Sequence, residues 1–416
     1  WKDGRVRITR WWNLADHAAA VGDENHGPSL DSEWFRSTFD DSVRLRRISD
    51  VPVGVLLSGG LDSSSVAATL GGQAPGHTSS FTVRFREAAY DEGPVARQTA
   101  ERWGLEPHEL FLDGGASRDL LAECSWLLDE PLAHGNDAQL YSIAKLAKQS
   151  VTVLLSGEGA DETMGGYVRY QPLRFPGMLA ASRPLWRAAA AVAARGRAAK
   201  LSRYLSVPMR LLPKFNSCDV FPEELAALGL PSEIGSSYRD AVADEARRAY
   251  PREPVRQAMY YDQHTFLCSL LDRNDRMTMG ASIECRVPFL DYRLVEGLAA
   301  IPSRRLFLGR RGKRVLRRAL ADRLSTAVTR GRKWGFGVPW HQRLRTDPEL
   351  RDLVTSLPTR APVVDGPLDS VQLNAIIGRF LAGDDRPMML VRQLAMIVLW
   401  YEAYFPRAAE LARRCA

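Results

Sequence analysis

The chain of 416 residues predicts an α/β fold: a parallel sheet with helices on both faces, followed by a helical C-terminal half. Three observations carry this. First, short apolar runs alternate with helical periodicity between residues 50 and 155. Strands separated by helices pair in parallel and are covered on both sides. Second, two of the apolar runs end in glycine-rich loops, Ser58-Gly59-Gly60-Leu61-Asp62-Ser63-Ser64 and Ser156–Tyr167. Ligands in such sheets bind beyond the carboxyl ends of the strands, where both loops fall. Third, after Tyr170 the composition turns to arginine, alanine, leucine and proline.

In chain order, Arg5–Trp12 alternates like a strand within an opening segment, 1–25. Residues 31–50 read as a helix, with Phe35, Phe39, Val43 and Leu45 on or near one face. Val53–Leu57 is the first buried strand, Ser80–Phe85 the second and His108–Leu112 the third, with a helix at Glu92–Trp103. Ala116–Leu128 and Gln139–Gln149 read as helices before a fourth strand, Val151–Leu155, apolar enough to be buried on both faces. Arg187–Lys200 is a basic, alanine-rich helix candidate, read as a solvated face rather than a membrane element. Residues 255–330 look helical, and Met388–Tyr404 reads as an apolar terminal helix stopped near Pro406. The expected division is 1–25, 26–170 for the α/β core and 171–416 for a mainly helical part completing the same domain.

Composition narrows the function classes. Hydrophobic content of 45% with 25% charged residues is that of a soluble globular protein. The net charge of +7 suits nucleic acid, but equally a nucleotide and pyrophosphate site, and over this length it reads as a basic surface. The five cysteines, Cys124, Cys218, Cys268, Cys285 and Cys415, form no C-x-x-C pair. That argues against a disulfide framework, a zinc ribbon and an iron–sulfur site, and for a reducing, cytoplasmic compartment. Met388–Tyr401 is interrupted by charge and too short to span a bilayer, so neither a membrane nor a nucleic-acid partner is expected. The first residue is Trp1, which reads as a partial or processed sequence.

The first loop carries the chemistry. Two glycines allow a tight turn and close approach to a ligand. Backbone N–H groups at a helix N-terminus, flanked by hydroxyls, form an anion site. Asp62 inside the loop would repel a phosphate unless Mg²⁺ lay between them. No G-x-x-x-x-G-K-[ST] occurs, so the Walker A reading has no support. Ser-Gly-Gly-Leu-Asp-Ser resembles the PP-loop of ATP pyrophosphatases, whose chemistry occurs at the α-phosphate. The second loop adds three carboxylates, Glu158, Asp161 and Glu162. Beside a phosphate site, acids hold a cation or accept a proton from an amine. Standing alone, they would equally be acids at a helix N-terminus.

Together the two loops resemble the synthetase domain of the asparagine synthetase family. Asp272–Met279, Ser282–Asp291, Gly312–Leu320 and Arg332–Pro339 are similar to further family motifs, in family order. The resemblance implies ATP and Mg²⁺ as cofactors, adenylation of an aspartate-like carboxylate with release of pyrophosphate, then attack by ammonia. It implies that Ser58, Gly59, Gly60, Asp62, Ser63 and Ser64, with Ser156, cradle the pyrophosphate, that Asp62 and Asp161 reach the metal, and that Leu56, Val83 and Gly157 contact adenosine. Lys333 matches the lysine facing the phosphates, and Glu158 the glutamate that meets the intermediate and ammonia. Lys313 and Arg317, four apart, are expected on one helix face as phosphate contacts. Glu284 and Arg286 are expected to form a bracing ion pair.

Two departures matter. Family members begin with a glutaminase domain whose N-terminal cysteine is the nucleophile, and this chain has no cysteine before Cys124. Trp1–Leu14 resembles the linker between the two domains, so free ammonia is the expected nitrogen source and a homodimer is compatible with the family pattern. Moreover, Asp129–Asp137 lacks the arginine that would bind the α-carboxylate of aspartate, leaving His134 and Asn136 as substrate-loop candidates. A lasso-peptide-type macrocyclase or another amidotransferase on this scaffold is the main alternative. Glu158 argues against β-lactam synthetases, which carry tyrosine there. A tRNA-modifying PP-loop enzyme would need a nucleic-acid module or sulfur-transfer cysteines, and a non-catalytic homologue would be expected to lose Asp62, Asp161 or Lys333.

Overall fold

A computed structural model describes residues 1–18, 32–76, 78–85, 91–112, 116–193, 196–215, 220–231, 236–331 and 338–415. Its centre is a five-stranded, all-parallel sheet of order β3-β2-β1-β4-β5. The strands are β1 (Val53–Leu56), β2 (Ser79–Phe85), β3 (Glu106–Leu112), β4 (Val153–Leu155) and β5 (Glu284–Arg286). The helices used below are α1 (Ser32–Arg47), α2 (Leu61–Gln73), α3 (Asp137–Ala147), α4 (Pro176–Val192), α5 (Gly196–Ser206), α6 (Phe266–Gly280), α7 (Arg314–Ala319) and α8 (Met388–Cys415).

Side-chain alternation assigns the two faces. Val153 and Leu155 enter one core with Val55, Leu57, Phe35 and Leu70, while Leu154 enters the other with Phe81, Val83 and Ile143. A period of two sends neighbouring residues of a strand to opposite sides, so helices must cover both. Both cores draw residues from either side of position 170, and the compositional change there is not a break in packing.

The order of strands positions the site. Sequence order runs outward from β1 to β3 on one side and from β4 to β5 on the other. The reversal lies between β1 and β4, where Val55 pairs with Leu155. The loops after these two strands therefore leave the same edge of the sheet side by side, at the crevice where such folds bind ligands.

Four expectations are corrected. Arg5–Trp12 is not a strand: a bridge joins Lys2 and Arg5, and Val6 and Ile8 are 72% and 91% exposed. Its alternation has no neighbouring strand to pair with. The sheet has a fifth strand, β5, whose three residues are too short and too polar to read as one. The expected Glu284–Arg286 ion pair is there at 2.7 Å, and Arg286 also donates to the carbonyls of Arg46 and Ile48. The basic helix expected at Arg187–Lys200 is two helices, α4 and α5, packed as a hairpin. Finally, α8 does not stop at Pro406 but runs through it to Cys415. An interior proline costs roughly 3 kcal/mol. Opposing it, Trp126 packs at a tilt against Tyr404 and lies beneath the Arg407 guanidinium at 4.2 Å, anchoring both sides of the proline.

Candidate active site

The Ser58–Ser63 loop joins β1 to α2. Gly59 has φ +73°, a conformation costly for a residue with a Cβ. Gly60 caps α2 without a side-chain hydrogen bond. The first N–H groups of α2 thus face the cleft with no side-chain cap competing for them. The Ser63 hydroxyl accepts the Ser58 N–H at 3.1 Å and lies 3.0 Å from the Ser58 hydroxyl, fixing the turn. Ser64 departs from expectation: its N–H donates to the Gly60 carbonyl and its side chain is fully buried. One step round the helix, about 100°, turns it from the cleft into the core.

A cavity of about 570 Å³ opens on this loop. Its lining also carries Arg310, Arg311, Lys313, Arg317 and Arg330 against the acids Asp62, Asp91 and Glu92, so cations outnumber acids around the N–H groups of the loop. Arg317 donates to the carbonyls of Gly312 and Thr329. Lys313 and Arg317 line the same cavity, but not as neighbours on a helix face, because Lys313 is the residue preceding α7 and has φ +59°.

The second loop touches the first. A Cβ on Gly157 would lie 2.9 Å from Asp62 Cβ and from Ser63 N, so only glycine allows the two backbones this close. The contact brings Asp62 and Asp161 to either side of one ammonium: Lys313 Nζ is 2.5 Å from Asp62 Oδ2 and 2.7 Å from Asp161 Oδ1. Lys313 is 4% exposed. Burial by itself would lower its pKa, but the Asp161 and Asp62 carboxylates outweigh it and hold the ammonium above the ordinary lysine value.

This donor set fits Mg²⁺. Two carboxylates converge on one cationic position, and Mg²⁺ typically takes one or two carboxylates with the remaining oxygens from phosphate and water. Among the described residues no group of three or more His, Cys, Asp or Glu side chains gathers elsewhere to form an all-protein cage.

A second cavity, about 390 Å³, shares Ser58, Asp62 and Ser63 with the first. Its apolar end is lined by Leu56, Val83, Leu140 and Ile143, beside Ser156 and Gly157. Its polar end is lined by Glu158, His134, Asn136, Tyr167 and Arg273. Arg273, on α6, donates to Asn136 Oδ1 at 2.7 Å and to Glu158 Oε1 at 2.9 Å. A guanidinium thus does reach the cavity, from a helix in the far half of the chain, with both of these bonds made to protein groups. His134 Nε2 is 2.8 Å from Ser269 Oγ. Burial, then the Arg273 and Arg392 charges, push its pKa down to about 4, so it is neutral at neutral pH. Glu162 goes the other way, to about 8, through burial and the nearby Asp161, and accepts the Tyr167 hydroxyl at 2.5 Å.

The substrate loop is fixed from behind. Arg392 of α8, 1% exposed, donates to the carbonyls of Leu132, Ala133 and His134, and Trp340 Nε1 donates to Gly135 O at 2.9 Å. Neither residue was singled out from sequence, although one arginine inside the apolar run 388–401 was a readable sign. Arg273 stood within a motif but had no assigned task. Lys333 lies outside the described residues.

The sheet order, the loop pair and the two joined cavities define a nucleotide-binding α/β protein of PP-loop type. A family model described as asparagine synthase matches residues 34–402. The chain belongs to the asparagine synthase family, which is ATP-dependent. It is 31% identical over 436 residues to asparagine synthetase [glutamine-hydrolyzing] 3 of Bacillus subtilis, covering 97% of this chain and 64% of the relative. It is 32% identical over 335 residues to asparagine synthetase [glutamine-hydrolyzing] 1 of the same organism, covering 75% and 50%. An amidase of Gibberella zeae is 28% identical over 314 residues, covering 65% of this chain and 46% of its own. The chain thus spans 64%, 50% and 46% of the length of these three relatives. No helix among the described residues is long and apolar enough to cross a membrane.

Proposed function

We propose that this chain adenylates a carboxylate with MgATP and passes the acyl group to ammonia, forming an amide. The observation that carries the reading is the Asp62–Lys313–Asp161 bridge at the junction of the two cavities. Phosphates belong on the cationic side, adenine against Leu56 and Val83, and the acyl group beside Glu158 and Arg273. That arrangement leaves the α-phosphate at the junction.

A substrate carboxylate oxygen attacks the α-phosphorus, and the bond to the β,γ-pyrophosphate breaks. The departing charge develops among Arg310, Arg311, Lys313 and Arg317, groups already oriented before the reaction. Asp62 and Asp161 would hold Mg²⁺, which supplies charge neutralisation for the pyrophosphate. Ammonia then attacks the acyl carbon, AMP departs with the acyl oxygen, and the surplus proton goes to a base. Glu158, held toward the cavity by Arg273, stands in position for that proton.

The acid itself differs from free aspartate in what it can rely on. Among the described residues lining the acyl cavity the one guanidinium is Arg273, already bonded to Asn136 and Glu158, and His134 is neutral. An acid without a second carboxylate beside the reactive one matches that lining better. This favours, as the second reading, a peptide-borne or secondary-metabolite carboxylate on the same scaffold. Residues 1–416 are expected to use free ammonia and not to hydrolyse glutamine. The test measures AMP and pyrophosphate from MgATP across a panel of carboxylates with and without ammonia. Asparagine from aspartate supports the first substrate; silence with aspartate and release with a peptide acid supports the second; no carboxylate-dependent release contradicts both.

A further inference from the structure

Between Glu162 and Asp219 the chain has ten lysines and arginines and no aspartate or glutamate. The positive charge of the whole molecule is concentrated here, and the rest of the chain is net acidic. Among the described residues, Arg169 pairs with Asp262, Arg203 with Glu224 and Lys214 with Asp240, carboxylates from other regions. The hairpin formed by α4 and α5, with Arg183 and Arg187 on α4 and Arg197 and Lys200 on α5, holds most of the others.

The same hairpin is apolar on its outside. Among the described residues of α4 the one buried side chain is Leu179. Met178, Leu185 and Val192 are 67%, 74% and 81% exposed and recur every seven residues, so they share one edge of the helix. Beside that edge the exposed face is alanine: Ala181 and Ala188. Exposed apolar surface arranged along one element marks an interaction site rather than scattered solvent contacts.

We propose that α4 and α5 form a docking surface for an acidic polypeptide that presents a helix with an apolar seam. The absence of any acid over this stretch selects an anionic partner. Alanines contribute little transfer free energy to lipid, but they let a partner helix approach closely, and the seven-residue repeat matches a helix seam. Nucleic acid would leave that seam without a partner. The surface is independent of the adenylation chemistry and sets which macromolecule is brought to the enzyme.

The test uses the full chain and fluorescein-labelled amphipathic helical peptides, one with glutamate and one with glutamine on its polar face, read by anisotropy. Phosphatidylserine vesicles and single-stranded DNA are assayed in parallel. The glutamate peptide is expected to bind, with affinity falling as salt rises and about tenfold weaker binding by the glutamine peptide. Leu185→Glu and the double variant Arg183→Glu/Arg187→Glu should each reduce binding by about tenfold or more while thermal melting stays unchanged. Arg187→Glu alone, at an exposed position, gives a smaller loss if the double variant misfolds. Failure of the glutamate peptide to bind, equal binding of both peptides, or preference for vesicles or DNA overturns the proposal.

Discussion

The half of the cleft proposed for the phosphates is built from one continuous stretch, 58–63, closed by Lys313 with Asp161 of the second loop, whereas the half proposed for the acyl group takes single side chains from separate elements: His134 and Asn136 from a loop, Arg273 from α6, Glu158 and Tyr167 from the second glycine loop. Backbone makes the first half. N–H groups, positive-φ glycine and the Gly157 close approach tolerate few alternatives. Side chains make the second, each replaceable without disturbing the sheet. One scaffold can therefore keep its nucleotide chemistry while the acid it activates changes.

The comparison breaks most sharply at Asp62. Asp62→Ala should lower carboxylate-dependent pyrophosphate release by about a hundredfold or more, since it removes a cation-holding group at the reacting phosphate. Unchanged release would separate Asp62 from the chemistry. Glu158→Ala probes the other half. It should reduce amide formation about tenfold more than adenylation, because Glu158 lines the cavity proposed for the acyl group and not the one proposed for the phosphates. Loss of pyrophosphate release equal to loss of amide would place Glu158 with the nucleotide instead.

Arg392 sharpens the contrast at a distance from both substrates. Lysine cannot reach three successive carbonyls with one fork. Arg392→Lys should raise the KM for the carboxylate roughly fivefold, equivalent to about one lost hydrogen bond, with little change in the KM for ATP. An equal change in both KM values would mean that α8 supports the whole cleft, not the substrate loop.

These differences also explain what the sequence made legible. The two loops were readable because their chemistry is written in consecutive residues, Ser58–Ser63 and Ser156–Asp161, after strands whose apolar runs mark them. Ser64 was misjudged because consecutive residues on a helix diverge in direction. The acyl half was hidden because Arg273 lies 137 positions from its partner Asn136, and no local spacing encodes that contact. The fold followed the same rule: four strands with apolar runs were visible, while β5 is held by pairing with β4 rather than by its own three residues. In α8, packing on Trp126 outweighed the local signal of Pro406.

A further expected effect is one of pH. Burial raises Glu162 to about 8 from an ordinary carboxyl value of 4.5. Between those values the folded chain binds the proton more tightly than the unfolded chain, so this contribution to stability is complete below the unfolded value and is lost as pH rises through the folded one. Glu162→Gln cannot ionise and keeps an acceptor for Tyr167. The melting temperature of the variant relative to wild type should therefore rise between about pH 4.5 and about pH 8 and level off above. A constant difference would contradict a protonated Glu162.

The central claim is that the two glycine loops direct a carboxylate to the α-phosphate of ATP. Heavy-oxygen-labelled carboxylate substrate, taken from whichever acid stimulates pyrophosphate release, tests it most directly. The account predicts that turnover in ammonia yields pyrophosphate without label and AMP carrying one labelled oxygen from the acid. Label in inorganic phosphate with ADP as the nucleotide product would contradict it, moving the attack to the γ-phosphate.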